Sequence, residues 1–233
     1  MGIFENVGIV REHLTRAAKR AGRDPDEIAL MAVSKTKPVE DIVAAYAAGQ
    51  RLFGENRVQE FASKLAVLGG RVLDGMEFHM IGHLQSNKAK PGAELFHAID
   101  SVDSRKLAER LDSSAESLGK TLDILIEINV GGEEAKSGIA PSSRELDEIL
   151  EHASEWKNLR VRGLMTVPPF TEDPEGARAY FRQLRELRDS LAKKGFALDK
   201  LSMGMSHDFE VAIEEGSTCV RVGTAIFGER PKP

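Results

Sequence analysis

Eight short apolar runs alternate with amphipathic stretches along the 233 residues, and this pattern predicts a single closed (β/α)8 barrel. Three observations carry the prediction. Strand–helix alternation implies a parallel sheet. Right-handed crossovers then allow either an open doubly wound sheet or a closed barrel, and eight strands in a chain of this length fit the closed form. No glycine-rich dinucleotide fingerprint follows the first strand, which speaks against the open form.

The predicted strands span residues 28–35, 51–54, 77–81, 95–99, 123–130, 160–166, 201–203 and 219–222. Helical spacing of apolar residues marks 39–48, 57–68, 104–118, 142–153, 174–194 and 207–215. Pro38 suits the start of the first of these. Residues 86–90 allow only a short helix, and an extra helix at 6–21 precedes the first strand. There is no low-complexity segment or long linker, so residues 1–233 are expected to form one domain.

Composition narrows the function classes. Hydrophobic residues are 41% and charged residues 30%, enough for a large core under a solvated surface. A net charge of -5 speaks against broad binding of nucleic acid or of a membrane surface. The single cysteine, Cys219 in the run CVRVG, excludes an internal disulfide framework and reads as a small buried hydrophobe. A reducing compartment follows. The opening MGIFENVGIVREHL lacks the pattern of a signal peptide. No apolar run approaches the roughly 18 residues of a membrane span. The expected location is the cytoplasm.

In such a barrel the chemistry sits at the C-terminal strand ends. The first predicted strand ends in AVSKTKP, where Lys35 extends an otherwise apolar face. A lysine losing solvation there becomes a usable amine nucleophile; a lysine snorkelling to solvent is the equal alternative. Lys37, before Pro38, is expected to face water. In FGENRVQE, Asn56 either lines the mouth or caps the following helix. His79 and His83 in FHMIGHLQSNK do not share a helix and lack clustered acidic or cysteine partners, so no metal is expected. Glu127 and Asn129 are expected on one face of the fifth strand, with Lys136 in the loop beyond, and Met165 as packing.

The last two strand ends carry the strongest local signal. The loops after strands seven and eight are the recurring phosphate site of this fold. Here they hold Ser206, expected as a helix N-cap, and Gly223 with Thr224. Arg221 lies between two valines and so points to the opposite face. If that face is the barrel interior, it is a buried cation needing acceptors. Closure places the eighth strand beside the first, bringing Arg221 near Lys35. A phosphate site, an activated lysine and an inward arginine together suit a phosphorylated aldehyde.

The segments AVSKTKP, FGENRVQE, IGHLQSNK, AKSGI, RGLMT, SMGMS and VRVGTAIFG, in this order over residues 28–230, resemble the pyridoxal phosphate homeostasis family, also described as alanine racemase N-terminal-domain-like. The resemblance implies a barrel of the alanine racemase type holding pyridoxal 5'-phosphate. It implies a Schiff base on Lys35, phosphate contacts from Ser206, Gly223 and Thr224, and Arg221 at the pyridine nitrogen. Asn56 and Met203 are implied as further lining. A cation beside that nitrogen disfavours its protonation and makes the ring a poorer electron sink. The chain ends at Pro233, soon after the last predicted strand, and both tyrosines, Tyr46 and Tyr180, fall on predicted helices. The second domain and tyrosine base of alanine racemases are therefore expected to be absent.

The expectation is a protein that binds, buffers and delivers the cofactor, with cofactor-dependent apoenzymes as recipients. A monomer is expected, with a dimer as the alternative. Two other functions stay open. One is an amino-acid racemase whose base is Lys136, His83 or Glu127. The other is a barrel enzyme acting on another phosphorylated metabolite without a covalent cofactor. Lys37 and Lys136 are candidates for a second lysine that takes over the cofactor.

Overall fold

Alternation along each strand decides which side chains meet the helices and which face the barrel axis. The computed structural model describes residues 2–69, 73–133 and 137–229. Its strands are β1 (Ala29–Val33), β2 (Leu52–Glu55), β3 (Glu77–Met80), β4 (Ala98–Val102), β5 (Leu122–Glu127), β6 (Leu159–Met165), β7 (Lys200–Met205) and β8 (Cys219–Val222). All pair in parallel in chain order, and β8 closes on β1 with Met31 opposite Arg221. The helices are α1 (Ile3–Arg20), α2 (Val39–Ala47), α3 (Val58–Val67), α4 (Ala89–Leu95), α5 (Arg105–Ser117), α6 (Arg144–His152), α7 (Arg178–Lys193), α8 (Phe209–Glu214) and α9 (Thr224–Phe227). None is long and apolar enough to cross a membrane.

One alternate set of strand residues, such as Leu30, Phe53, Phe78, Ile124 and Val220, is buried under the helix layer. Four phenylalanines lock β2 and β3 to α3 and its neighbour α4: Phe61 lies 4.4 Å from Phe78 and 4.8 Å from Phe96, and Phe53 stacks on Phe78 at 5.3 Å. Burying such a ring removes a large apolar area from water and is worth about 2–3 kcal/mol. The extra helix α1 buries Val7, Val10 and Leu14. It is tied to α8 by Arg20, which pairs with Glu210 and Glu214.

The structure shifts several expected boundaries. β1 stops at Val33, so Lys35 leaves the strand and sits in a turn. β4 occupies 98–102, three residues beyond its expected start, because 89–95 form α4. Pro91 and Gly92 do not forbid that helix. Pro91 lies in its first turn, where no intrahelical N–H partner is lost. The absent side chain of Gly92 leaves room for Leu84, whose Cδ2 lies 3.0 Å from where a Cβ would stand. A short helix, α9, also follows β8 directly.

Candidate functional site

At the C-terminal ends of the strands lies a cavity of about 550 Å³. It gathers Lys35, Asn56, Ser206, Arg221, Gly223 and Thr224, contributed by the ends of β1, β2, β7 and β8. Residues at or just past the ends of β3, β5 and β6, including Ile81, Glu127 and Val167, complete the wall.

Arg221 enters from the barrel axis, as its place between Val220 and Val222 requires. It is 3% exposed. Its guanidinium donates to Ser202 Oγ and to the Thr166 carbonyl, both at 2.7 Å. Burial pulls its pKa below the ordinary arginine value, while Cys219, Asp100, Glu127 and Asp208 act to raise it. An arginine remains charged in such a place and is a donor only. Glu127 is also buried in the cavity wall. Its Oε1 accepts from Ser137 Oγ at 3.0 Å, and its Oε2 has no hydrogen-bond partner. Burial raises its pKa, against the pull of Ser137 and Arg221. Asn129 does not join it in lining the cavity, and its side-chain amide donates to the Glu133 carbonyl.

Asn56 does not cap α3. The residue at that cap is Arg57, and no side chain bonds the helix end. Asn56 Oδ1 is buried, faces no donor, and belongs to a cavity-lining residue. A buried polar atom left without a partner in a cavity wall is suited to a ligand donor. Gly82 permits this arrangement, because a Cβ there would stand 2.4 Å from the Asn56 carbonyl oxygen.

Ser206 is not the N-cap of α8 either, since that helix begins at Phe209 after Asp208. Its Oγ instead accepts from the backbone N–H of Gly223 at 3.2 Å and of Ala225 at 3.4 Å. Hydroxyl and backbone donors of the two last strand ends thus meet at one corner of the cavity. Such a corner fits a phosphate.

Met203, implied as cavity lining, is placed elsewhere. It is fully buried in the cluster under α7 and α8, with Phe181, Leu184 and Ala212, and does not line the cavity. Met205 lines it instead. Met203 alternates with Ser202, which meets Arg221 at the axis, so it turns to the helix layer. A register shift beyond Ser202, from Ser202 opposite Cys219 to Met205 opposite Arg221, three steps on β7 against two on β8, brings Met205 to the cavity. Gly204, at φ +93°, absorbs the extra residue. Sequence alternation carries no sign of such a bulge, except that glycine follows Met203.

Lys37, expected in water, donates from Nζ to the carbonyls of Phe227 and Gly228 at 3.0 Å and of Glu229 at 3.2 Å, behind α9. Lys136 lies outside the described residues. His83 lines the cavity and pairs with Asp103 at 2.9 Å, while His79 pairs with Asp100 deeper in the barrel. Tyr46 donates to the Asp74 carbonyl from α2, and Tyr180 packs beside α7's buried cluster, so neither reaches the cavity. Cys219 is buried, and burial pushes its thiol up to about 12, as expected of an inert cysteine.

Known proteins resemble the chain over nearly its whole length. The alanine racemase N-terminal domain family matches residues 6–231. A relative from Aquifex aeolicus named pyridoxal phosphate homeostasis protein is 48% identical, over 99% of each chain. One of the same name from Escherichia coli K12 is 44% identical, covering 98% of this chain and 97% of its own. Among solved structures, PipY of Synechococcus elongatus PCC7942, determined with PLP bound, is 38% identical with a TM-score of 0.84, over 97% of this chain and 100% of that one. An alanine racemase of Clostridium difficile 630 shares the fold at 16% identity and a TM-score of 0.72, over 98% of this chain but 58% of its own. The chain therefore belongs to the alanine racemase N-terminal domain family, in the group whose members are named pyridoxal phosphate homeostasis protein.

Proposed function

We propose that this protein binds pyridoxal 5'-phosphate in the barrel cavity, holds it as a Schiff base on Lys35, and serves to buffer and deliver it. The observation that carries the reading is the convergence of Lys35, Arg221 and the Ser206–Gly223–Thr224 corner on one cavity. The names of its relatives and the PLP-bound PipY support it.

When bound, the cofactor supplies an aldehyde that condenses with an amine and a ring that can accept electrons. The residues around it set which of these is used. Lys35 supplies the amine. Ser206 and the N–H groups of Gly223 and Ala225 take the phosphate, with Thr224 beside them. Arg221, locked by Ser202 and the Thr166 carbonyl, presents a permanent cation where the pyridine nitrogen is assigned. That keeps the nitrogen unprotonated and the ring a weak electron sink, which favours custody over amino-acid chemistry. Asn56 Oδ1 offers an acceptor in the wall.

The same reading takes residues 1–233 as one domain, working as a monomer in the cytoplasm, where the lone buried thiol of Cys219 stays reduced. Cofactor-dependent apoenzymes are the proposed recipients. A racemase is the second reading, and Glu127 favours it: a carboxyl in the cavity wall with a raised pKa and one oxygen unpartnered. Exchange of an amino-acid Cα proton with solvent, catalysed by the loaded protein and lost in Glu127→Gln, would select it.

The primary test is an absorption spectrum after adding pyridoxal 5'-phosphate and removing the excess. Wild type is expected to keep a visible band that borohydride fixes on Lys35, and Lys35→Ala is expected to lose it. Absence of a band in wild type overturns the reading and favours a barrel that binds another phosphate ester.

A further inference from the structure

The turn that carries Lys35 is strained. Thr36 has φ of +63°, and it is the one non-glycine residue with positive φ among the described residues. The Lys37 N–H closes the turn on the Ser34 carbonyl at 3.0 Å, so Thr36 holds the third position, where positive φ normally calls for glycine or asparagine. A β-branched residue persists there only when its surroundings force it.

Those surroundings are built by α3. Glu60 Oε1 accepts from the Thr36 N–H at 2.5 Å. Lys64 Nζ donates to the Ser34 carbonyl at 2.9 Å and to Glu55 Oε1 at 2.7 Å, and it pairs with Glu60 Oε1 at 2.8 Å. Ser34 Oγ also donates to Glu55 Oε1, at 2.7 Å. The Lys64 ammonium thus meets two carboxylates and a backbone carbonyl, and its side chain is 9% exposed. A buried ion pair of this kind is poor evidence of stability, since well-packed apolar residues often do as well. Its geometric effect is specific: it grips the backbone on both sides of Lys35. On the far side, Lys37 fastens the same turn to the end of α9, whose beginning forms the phosphate corner.

We propose that Lys64 and Glu60 are positioning residues for the Lys35 amine, clamping a strained turn so that the amine meets an aldehyde whose phosphate is anchored at Ser206. This rests on the proposed cofactor reading. Misplacing a reacting group by about 1 Å costs on the order of 100-fold in rate. Lys64→Met and Glu60→Ala are therefore expected to slow covalent capture of pyridoxal 5'-phosphate about 10- to 100-fold. Capture is read by stopped-flow absorbance and by borohydride trapping with mass spectrometry at Lys35. Equilibrium binding of pyridoxine 5'-phosphate, which has the phosphate but no aldehyde, is expected to stay within about twofold, because no contact to it is lost.

Lys64→Met leaves Glu55 buried without its charged partner and can cost stability; Glu60→Ala is the milder change, since Glu60 is partly exposed and no buried carboxylate loses its partner. The decisive variant is Thr36→Gly combined with Glu60→Ala. Glycine takes positive φ without a clamp, so the double variant is expected to recover most of the capture rate. A purely structural role for α3 would give no such rescue. If Glu60→Ala captures the cofactor at the wild-type rate, or if glycine does not rescue it, the positioning proposal is overturned while the cofactor reading stands. If wild type captures nothing at Lys35, both fall.

Discussion

Ser206 shows how much a single hydroxyl decides at the residue scale. It stands where two backbone N–H groups from the following strand end converge, and a phosphate there gains the hydroxyl as a donor. A hydrogen bond to a charged group contributes about 1.5–3 kcal/mol. Ser206→Ala is therefore expected to weaken pyridoxal 5'-phosphate binding about 10- to 100-fold while leaving pyridoxal, which lacks the phosphate, almost unchanged. Titrations of both ligands by absorbance check this, and an equal loss for the two would remove Ser206 from the phosphate corner. Lys35, Arg221, Ser206, Gly223 and Thr224 were legible because each is out of place locally: a lysine closing an apolar run, an arginine between valines, small hydroxyl residues at strand ends. Asn56 was legible only as a choice between lining and capping, and the choice depended on how β3 approaches through Gly82, a nonlocal fact. Lys64 was invisible, since a lysine on an amphipathic helix ordinarily reaches water. Only the tertiary position of Glu55 and Ser34 turns it inward.

At the scale of elements, hydrophobic period located every strand and most helices, and failed where tertiary packing overrides local preference. The segment 89–95 forms α4 despite Pro91 and Gly92 because both residues fit a helix start packed on Leu84. α9 has four residues, too few for any periodic signal. The bulge in β7 brought Met205 to the cavity, while Met203, alternating with the inward Ser202, packs under the helices. Gly204 makes that bulge possible. Its φ is +93°, and a Cβ would stand 2.5 Å from the Ala212 Cβ and 3.0 Å from the Phe209 Cα. Gly204→Ala thus adds backbone strain and an overlap with α8, each costing about 1–3 kcal/mol. A loss of about 2 kcal/mol or more in urea unfolding is expected, with weaker phosphate-ester binding as Ser206 shifts. A loss under about 0.5 kcal/mol, the size of an ordinary surface change, would mean that the bulge does not need its glycine.

Over the whole molecule, the barrel axis carries charge where apolar packing is the usual filling. Asp100 is 2% exposed and holds His79, whose Nδ1 lies 3.1 Å from it, while Arg221 and Glu127 occupy the layers above. The alternation of β3 and β4 gave these residues their inward direction, but nothing local showed that they meet. Their titration is coupled to folding. Burial of the His79 ring pulls its pKa down, yet attraction and hydrogen bonding to Asp100 outweigh this, so the folded value lies above the ordinary histidine value. The folded protein then holds a proton that the unfolded chain releases at about pH 6.5. The resulting stabilisation is fully present below that pH and is lost as pH rises through the folded value. Glu127, whose folded pKa is also raised, acts with the same sign in a lower window, beginning at the ordinary carboxylate value. Unfolding free energy of the cofactor-free protein is therefore expected to fall as pH rises from about 6 toward the folded value of His79. His79→Gln, which keeps a polar group beside Asp100 but does not titrate, is expected to flatten that slope without changing the acid limb. Urea titrations at closely spaced pH values measure both. Parallel profiles for wild type and His79→Gln would show that the Asp100–His79 pair is not protonated in the folded barrel, and that the interior charge of Arg221 is balanced by Asp100 and Glu127 without it.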